Sequence, residues 1–293
     1  MAADFRRDGG PTVPSAGEGG AQDRGGSAPP VPPGLPRPVR GDLSPRASGG
    51  PLRASGGPPR ADMIWAVLLG VVSARVSETG RQALDIVDVG GGTGGLAVPF
   101  AALGHNVTVV DPSPDALAAA QRRAAEAGAR LAAVQGEAAS LDSVTGPKSA
   151  DLVICHNVLE YVDSPAEAMT AIATVLRPSA TVSVLAANAV AAVLHRALAG
   201  RFAEARRLLE TDGAAGLPRR FTLPRLIALI ESAGLRAGAA HGLRIFTGLV
   251  PGALLDDAGG AGGTEALRAL EEAAATVPPL RDIAAQLHLL GHR

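Results

Sequence analysis

Apolar positions follow two rhythms along this chain. Between residues 84 and 185, short runs that are apolar almost throughout alternate with stretches apolar at every third or fourth position. Unbroken runs suit strands covered on both faces, and the longer spacing marks one face of a helix. Residues 84–89, 107–110, 131–135, 151–155 and 181–185 are therefore predicted strands, with helices at 96–103, 114–127 and 166–176 between them. Gly104 and Gly128 stop the first two helices, and Arg177-Pro178 stops the third. Ser113 is placed to cap the second helix, with Pro114 at its first position and Asp115 at its positive end. An amphipathic helix is expected earlier, over 63–76. After residue 187 the alternation breaks. One helix is expected over 189–209, carrying Arg196, Arg201, Arg206 and Arg207, and another from Thr222 to about Ala233. Two last strands are expected at 235–241 and 284–290.

Strand and helix in strict turn predict an α/β fold, a mostly parallel sheet with helices on both faces. Composition sets where that fold starts. Residues 1–60 hold 13 of the 37 glycines and 12 of the 23 prolines, a density that predicts disorder over 1–58. An Arg-Ala-Ser-Gly-Gly-Pro unit occurs twice there, at 46–51 and 53–58, too short and Gly-rich to bury a core. The folded domain is expected over 59–293, with a helical insert at about 188–221. Basic and acidic residues number 27 and 28, so net charge gives no sign of a strongly basic nucleic-acid binder. The single cysteine, Cys155, excludes an intrachain disulfide and a thiolate zinc cluster. Residues 1–10 lack an apolar core and the apolar run 63–74 is too short to span a bilayer, so no membrane association and a cytoplasmic location are expected. His195, His241, His288 and His292 show no metal-ligand spacing with carboxylates, and no metal is expected.

The candidate chemistry sits where the first strand ends. Asp88-Val-Gly90-Gly91-Gly92-Thr-Gly94 lies between a strand and a helix, where glycines let backbone turn tightly and approach a ligand. Asp111 ends the next strand, 21 residues after Gly90, where a carboxylate can accept both hydroxyls of a ribose lying across the strand tips. Loop and acid together indicate an adenosine-containing cofactor. Gly90-x-Gly92-x-x-Gly95 also satisfies the dinucleotide pattern, so the spacing leaves NAD open.

The Asp-x-Gly-x-Gly-x-Gly form resembles motif I of the class I S-adenosylmethionine-dependent methyltransferases. Asp151-Leu-Val-Ile-Cys-His156-Asn157-Val-Leu-Glu160-Tyr-Val162 resembles their motif IV. Val175-Leu-Arg-Pro178 resembles the family's Leu-Arg-Pro-Gly-Gly stretch before strand 5, with Ser179-Ala180 in place of the glycines. The C-terminal half, through Asn188-Ala189, Leu198-Ala-Gly-Arg-Phe202, Glu231-Ser-Ala-Gly234 and Gly242-Leu-Arg-Ile-Phe246, is similar to the bacterial tRNA 5-carboxymethoxyuridine methyltransferases and their relatives. The resemblance covers about residues 60–293. It implies a Rossmann-like, seven-stranded, mostly parallel sheet and S-adenosyl-L-methionine as cofactor. It implies cofactor contacts from Asp88, Gly90, Gly91, Gly92, Gly94 and Asp111. Glu137, Ala138 and Ala139 would meet the adenine, His156 would present its backbone, and Arg60 would pair with the methionine carboxylate.

The expected activity is methyl transfer, to a tRNA wobble uridine carboxymethoxy group or to a small molecule. Where the tRNA-modifying relatives carry a lysine-rich stretch, this chain has only Arg219 and Arg220 beside Glu210 and Asp212, which weakens the phosphate-binding reading. Arg201 and Arg244 are candidates for a substrate anion. The alternatives are a nicotinamide-dependent oxidoreductase and a non-catalytic cofactor-binding homologue. The only tyrosine is Tyr161 and the only lysine Lys148, so the Tyr-x-x-x-Lys pair of short-chain dehydrogenases is absent. No catalytic residue follows from the sequence alone.

Overall fold

A computed structural model describes residues 63–210, 218–250 and 261–293. All of them lie within one unit, Gly56–Arg293. The predicted extension over 1–58 and Arg60 lie outside the described residues, as does Asp212.

The first half follows the apolar rhythm. Helix α1 (Met63–Thr79) precedes β1 (Asp85–Val89), α2 (Ala97–Ala102), β2 (Asn106–Asp111), α3 (Pro114–Glu126) and β3 (Ala132–Gln135). A short 3-10 turn at Ala138–Ser140 and α4 (Leu141–Thr145) lead into β4 (Ala150–His156), α5 (Pro165–Val175) and β5 (Leu176–Ala187). Ser113 caps α3 as expected, its Oγ accepting from the Ala116 N–H at 3.3 Å, with Pro114 in the first turn.

Several boundaries differ from the sequence reading by one to three residues, and two larger differences have a local cause. Helix α5 ends at Val175, and Leu176 already pairs with Ala150 of β4. Pro178 biases Arg177 toward extended backbone, so the strand begins before the Arg-Pro pair. Pairing resumes at Leu152–Thr181 after an irregularity in which Ser179 takes φ +60°. The single helix expected over 189–209 is two, α6 (Ala189–Leu198) and α7 (Phe202–Glu210). Gly200, at φ +73°, is the left-handed residue that ends α6. Beyond them lie α8 (Leu223–Ser232), β6 (Arg236–Leu243), α9 (Ala261–Ala274) and β7 (Gln286–His292). Helices α4 and α9 were not foreseen from the sequence.

The seven strands form one sheet in the order β3-β2-β1-β4-β5-β7-β6. β3, β2, β1, β4 and β5 run parallel, and β7 is antiparallel to both β5 and β6. Two apolar layers cover it. On one face Ile64, Leu68 and Val72 of α1, Phe100 of α2 and Leu117 of α3 meet Ile86, Leu152 and Ile154. On the other, Met169, Ile172 and Val175 of α5 and Leu226 and Ile230 of α8 meet Val87, Val153 and Val182. Each such fully buried side chain contributes about 1.5–3 kcal/mol. At the N-terminal end of the sheet, Asp151 is fully buried and accepts from Arg75, Arg81 and Arg177 at 3.3, 2.7 and 3.0 Å. That node ties α1 to β4 and β5 and leaves the opposite edge for chemistry.

Candidate functional site

Parallel register brings the C-terminal ends of β1, β2, β3, β4 and β5 to one edge. Val89 pairs with Val110 and Cys155, Asp111 with Gln135, and His156 with Leu185. The glycine loop leaves β1 at this edge. Gly90 donates to the Val110 carbonyl at 2.7 Å, at φ +66°. A Cβ there would stand 2.4 Å from Val158 Cγ2, so the loop lies against the tip of β4. A Cβ on Gly91 would stand 2.5 Å from Asp88 Oδ2. Gly90 and Gly91 are thus required by close approach.

Asp111 holds the loop. Its Oδ2 accepts from the Gly92 N–H and its Oδ1 from the Ser113 N–H, both at 2.9 Å. Asp88 is buried beneath the loop and accepts from the Ala97 N–H at the start of α2. Burial, reinforced by the nearby Asp111 charge, pushes its carboxyl up to about 7. One further clamp was not read from the sequence. Arg123 of α3 donates to the Thr93 carbonyl at 2.9 Å and lies 3.1 Å from its hydroxyl, fixing the loop crest.

The third strand exit lies beside Asp111. Gly136 donates to the Asp111 carbonyl at 3.3 Å, and Glu137 opens the 3-10 turn, its carbonyl accepting from the Ser140 N–H at 3.2 Å. Glu137 and Ala139 are exposed and Ala138 is buried. Asp88, the glycines, Asp111, Glu137, Ala138, Ala139 and His156 therefore share one edge.

The tip of β4 carries polar groups in both directions. The His156 ring turns back along the sheet, its Nε2 2.7 Å from Ser183 Oγ, and burial pushes its pKa down to about 3, so it is neutral. Asn157, at φ +55°, accepts from Gln286 Nε2 at 2.6 Å. Glu160 is buried with Oε1 accepting from the Ala187 N–H at 2.7 Å, while Oε2 has no partner. Burial raises this carboxyl, and Arg220 opposes the rise.

Next to these groups, at the end of β5, a cavity of about 380 Å³ opens between α6 and the segment after β6. Ala187, Asn188 and Ala285 form its inner wall, and Arg196, Arg220 and Arg244 line it. Of the two arginines singled out from the sequence for a substrate anion, Arg244 is here. Arg201 is not; it faces Glu204 at 3.6 Å. Among the described residues no group of three His, Cys, Asp or Glu side chains is placed to hold a metal ion, and no helix is long and apolar enough to cross a membrane.

Comparison with known proteins bears on this edge. Residues 87–184, from within β1 to within β5, match the family described as "Methyltransferase domain". The chain is 30% identical to the ubiquinone biosynthesis O-methyltransferase of Colwellia psychrerythraea, over 57% of this chain and 67% of that one. It belongs to the class I S-adenosylmethionine-dependent methyltransferases. A tRNA 5-carboxymethoxyuridine methyltransferase of Escherichia coli O157:H7 is 29% identical over 62% of this chain and 70% of that protein. Two further relatives of these kinds are matched over 53% and 47% of their length. The crystal structure of the plantazolicin methyltransferase BamL, solved with SAH, superposes with a TM-score of 0.51 at 13% identity, covering 80% of this chain and 86% of that one. At that identity the likeness shows the fold alone. Family membership makes S-adenosylmethionine the cofactor of this methyltransferase and sets aside the nicotinamide alternative.

Proposed function

We infer that this methyltransferase transfers a methyl group to a small acceptor that carries an anionic group and lies in the cavity at the end of β5. S-adenosylmethionine, when bound, supplies a methyl group on a sulfonium, electrophilic enough for direct displacement. The chain's share is then positioning and exclusion of water.

The strand-tip edge fits that cofactor. Gly90, Gly91 and Gly92 bear no Cβ, and Asp111 keeps further lone pairs on both oxygens for ribose hydroxyls after accepting from Gly92 and Ser113. Gly90, Gly91, Gly92 and Gly94 would face the methionine part, with Asp88 beneath as the counter-charge. Glu137, Ala138 and Ala139 would border the adenine, and His156 would present its backbone.

The observation that carries the acceptor reading is the cavity itself. Three guanidinium groups, Arg196, Arg220 and Arg244, line about 380 Å³ at the end of β5, the strand next to β4. Among the described residues, Arg196 alone of the three has a carboxylate within ion-pair distance, Glu204 at 3.8 Å. Guanidinium groups in a concave site favour a carboxylate or phosphate. A second reading, a tRNA wobble uridine carboxymethoxy group, is favoured by the Escherichia coli relative and by α7, where Phe202 is 70% exposed beside Arg206.

Calorimetry with S-adenosylmethionine, S-adenosylhomocysteine and NADH on wild type and Asp111→Ala tests the cofactor site. Micromolar binding of the first two, weakened at least tenfold in the variant, is expected. Methyl transfer is then assayed on small hydroxy acids and on carboxymethoxyuridine tRNA, with Arg220→Ala and Arg244→Ala as controls. Turnover of a hydroxy acid with KM raised in both variants supports the reading. Turnover of the tRNA alone moves the function to the second reading. Cofactor binding with no turnover on either leaves a non-catalytic homologue.

A further inference from the structure

Four side chains on one face of the sheet are joined across four neighbouring strands. His156 Nε2 at the tip of β4 lies 2.7 Å from Ser183 Oγ on β5. The same oxygen lies 2.8 Å from His288 Nε2 on β7. His288 Nδ1 lies 3.1 Å from His241 Nδ1 on β6, the edge strand. We propose that His156, Ser183, His288 and His241 form a proton wire from the acceptor side of the methyltransferase to the outer edge of its sheet.

The hydrogen count leads to this reading. Burial depresses the pKa of all three rings, with His156 and Arg281 adding to the effect at His288 and His241 respectively, so each ring is neutral and carries one N–H. Each of the three contacts needs one hydrogen. Ser183 is fully buried, so its own hydrogen must also find an acceptor within the chain, and two arrangements then satisfy every group. In the first, His156 Nε2–H donates to Ser183, Ser183 O–H donates to His288 Nε2, and His288 Nδ1–H donates to His241 Nδ1. His241 then carries its hydrogen on Nε2, and His156 Nδ1 is an open acceptor. In the second, every hydrogen has moved one place and the direction reverses, leaving the hydrogen on His156 Nδ1.

Shifting from the first arrangement to the second moves one proton end to end. A hydroxyl acceptor gives its proton to His156 Nδ1, its oxygen keeping the O–H electron pair for the new bond to carbon. Three hydrogens shift in turn, and the Nε2 proton of His241 leaves to water. No charge remains on the buried rings, which is the costly state. When product leaves, the reverse shift takes a proton from water at His241 and releases one at His156, restoring the start. His241 is half-buried where His288 is fully buried, as an exit requires. The sheet has no structural need for this set, because apolar side chains would fill the same face without desolvation cost. Other polar groups nearby are His292, bonded to Thr181 at 3.2 Å, and Arg281, which pairs with Asp282.

The wire rests on the methyl-transfer reading for its use, but its existence can be measured without cofactor or acceptor. Long-range proton–nitrogen NMR of the full chain with labelled histidine gives the tautomer fractions of each ring. The expected result is one shared fraction: His156 with Nδ1–H, His288 with Nε2–H and His241 with Nδ1–H in equal proportion. In Ser183→Ala the His156 fraction separates from the other two, while His288 and His241 stay matched. Unequal fractions in wild type, or Nε2–H on both His156 and His288, overturn the proposal. Titration of S-adenosylmethionine within twofold of wild type shows that Ser183→Ala is folded; if it is not, His241→Gln is used and the wild-type equality still decides. With a hydroxyl acceptor, Ser183→Ala is expected to lower kcat about 10²-fold at unchanged KM. An unchanged kcat overturns the wire as a route for the acceptor's proton, and failure of S-adenosylmethionine to bind wild type overturns the methyl-transfer reading alone.

Discussion

Replacing Asp88 by Asn should stabilise the folded protein, and the gain should depend on pH. Asp88 is 4% exposed under the glycine loop, and its pKa rises from 3.8 to about 7, first by burial and then by the Asp111 charge. Below about pH 4 the carboxyl is protonated in both folded and unfolded chains. As pH rises from there, the unfolded chain ionises Asp88 while the folded chain keeps the proton to about 7. Stability is therefore lost through that window and levels off above it. At about 1.4 kcal/mol per tenfold, the loss amounts to about 4 kcal/mol. The Asn carbonyl oxygen still accepts from Ala97, so the variant keeps that bond without the buried charge. Urea unfolding of cofactor-free wild type and Asp88→Asn from pH 4 to pH 8 reads the effect. The difference in stability should grow by about 4 kcal/mol across the range, about 2 M in midpoint for a slope near 2 kcal/mol/M. A difference that stays constant within about 1 kcal/mol would refute the reasoning. On the proposed placement of the cofactor, the same variant should bind S-adenosylmethionine more weakly, because it removes the counter-charge proposed for Asp88.

Three further outcomes are expected. Asp151→Ala leaves three guanidinium groups and the Asp85 N–H without their shared acceptor and should destabilise the chain by about 3–5 kcal/mol in urea unfolding; a change under 1 kcal/mol would show the node to be solvated. Gly91→Ala drives a methyl group to 2.5 Å from Asp88 Oδ2 and should weaken S-adenosylmethionine binding at least tenfold by calorimetry, whereas Gly95→Ala, with open space at its Cβ, should not. Cys155 is fully buried and its thiol is pushed up to about 12 by burial, Glu160 and Asp88. It should resist an aromatic disulfide reagent at pH 8 in the native state and react at once in denaturant; rapid native labelling would contradict its burial.

Between residues 63 and 187, local signals in the sequence were enough for β1 to β5 and for α1, α2 and α3. Continuous apolar runs placed β1 to β5, and Ser113-Pro114 placed the start of α3, because strand burial and capping act over a few residues. The spacing from Gly90 to Asp111 placed the glycine loop and the acid at one edge for the same reason: a strand, a turn and a helix fix that distance. Where two local signals competed, periodicity misled. Apolar spacing ran through Gly200, which in the structure ends α6 and turns the chain into α7. Tertiary structure decided everything that depends on strand order. Ser183, His241 and His288 carry no local mark, and they meet only because β7 inserts antiparallel between β5 and β6. Arg196, Arg220 and Arg244 come from three separate segments and become one cavity only when α6 and the turn after β6 close over the end of β5. Backbone preference and burial pattern are written residue by residue, but a contact across four strands is set by register, and register is a property of the assembled sheet.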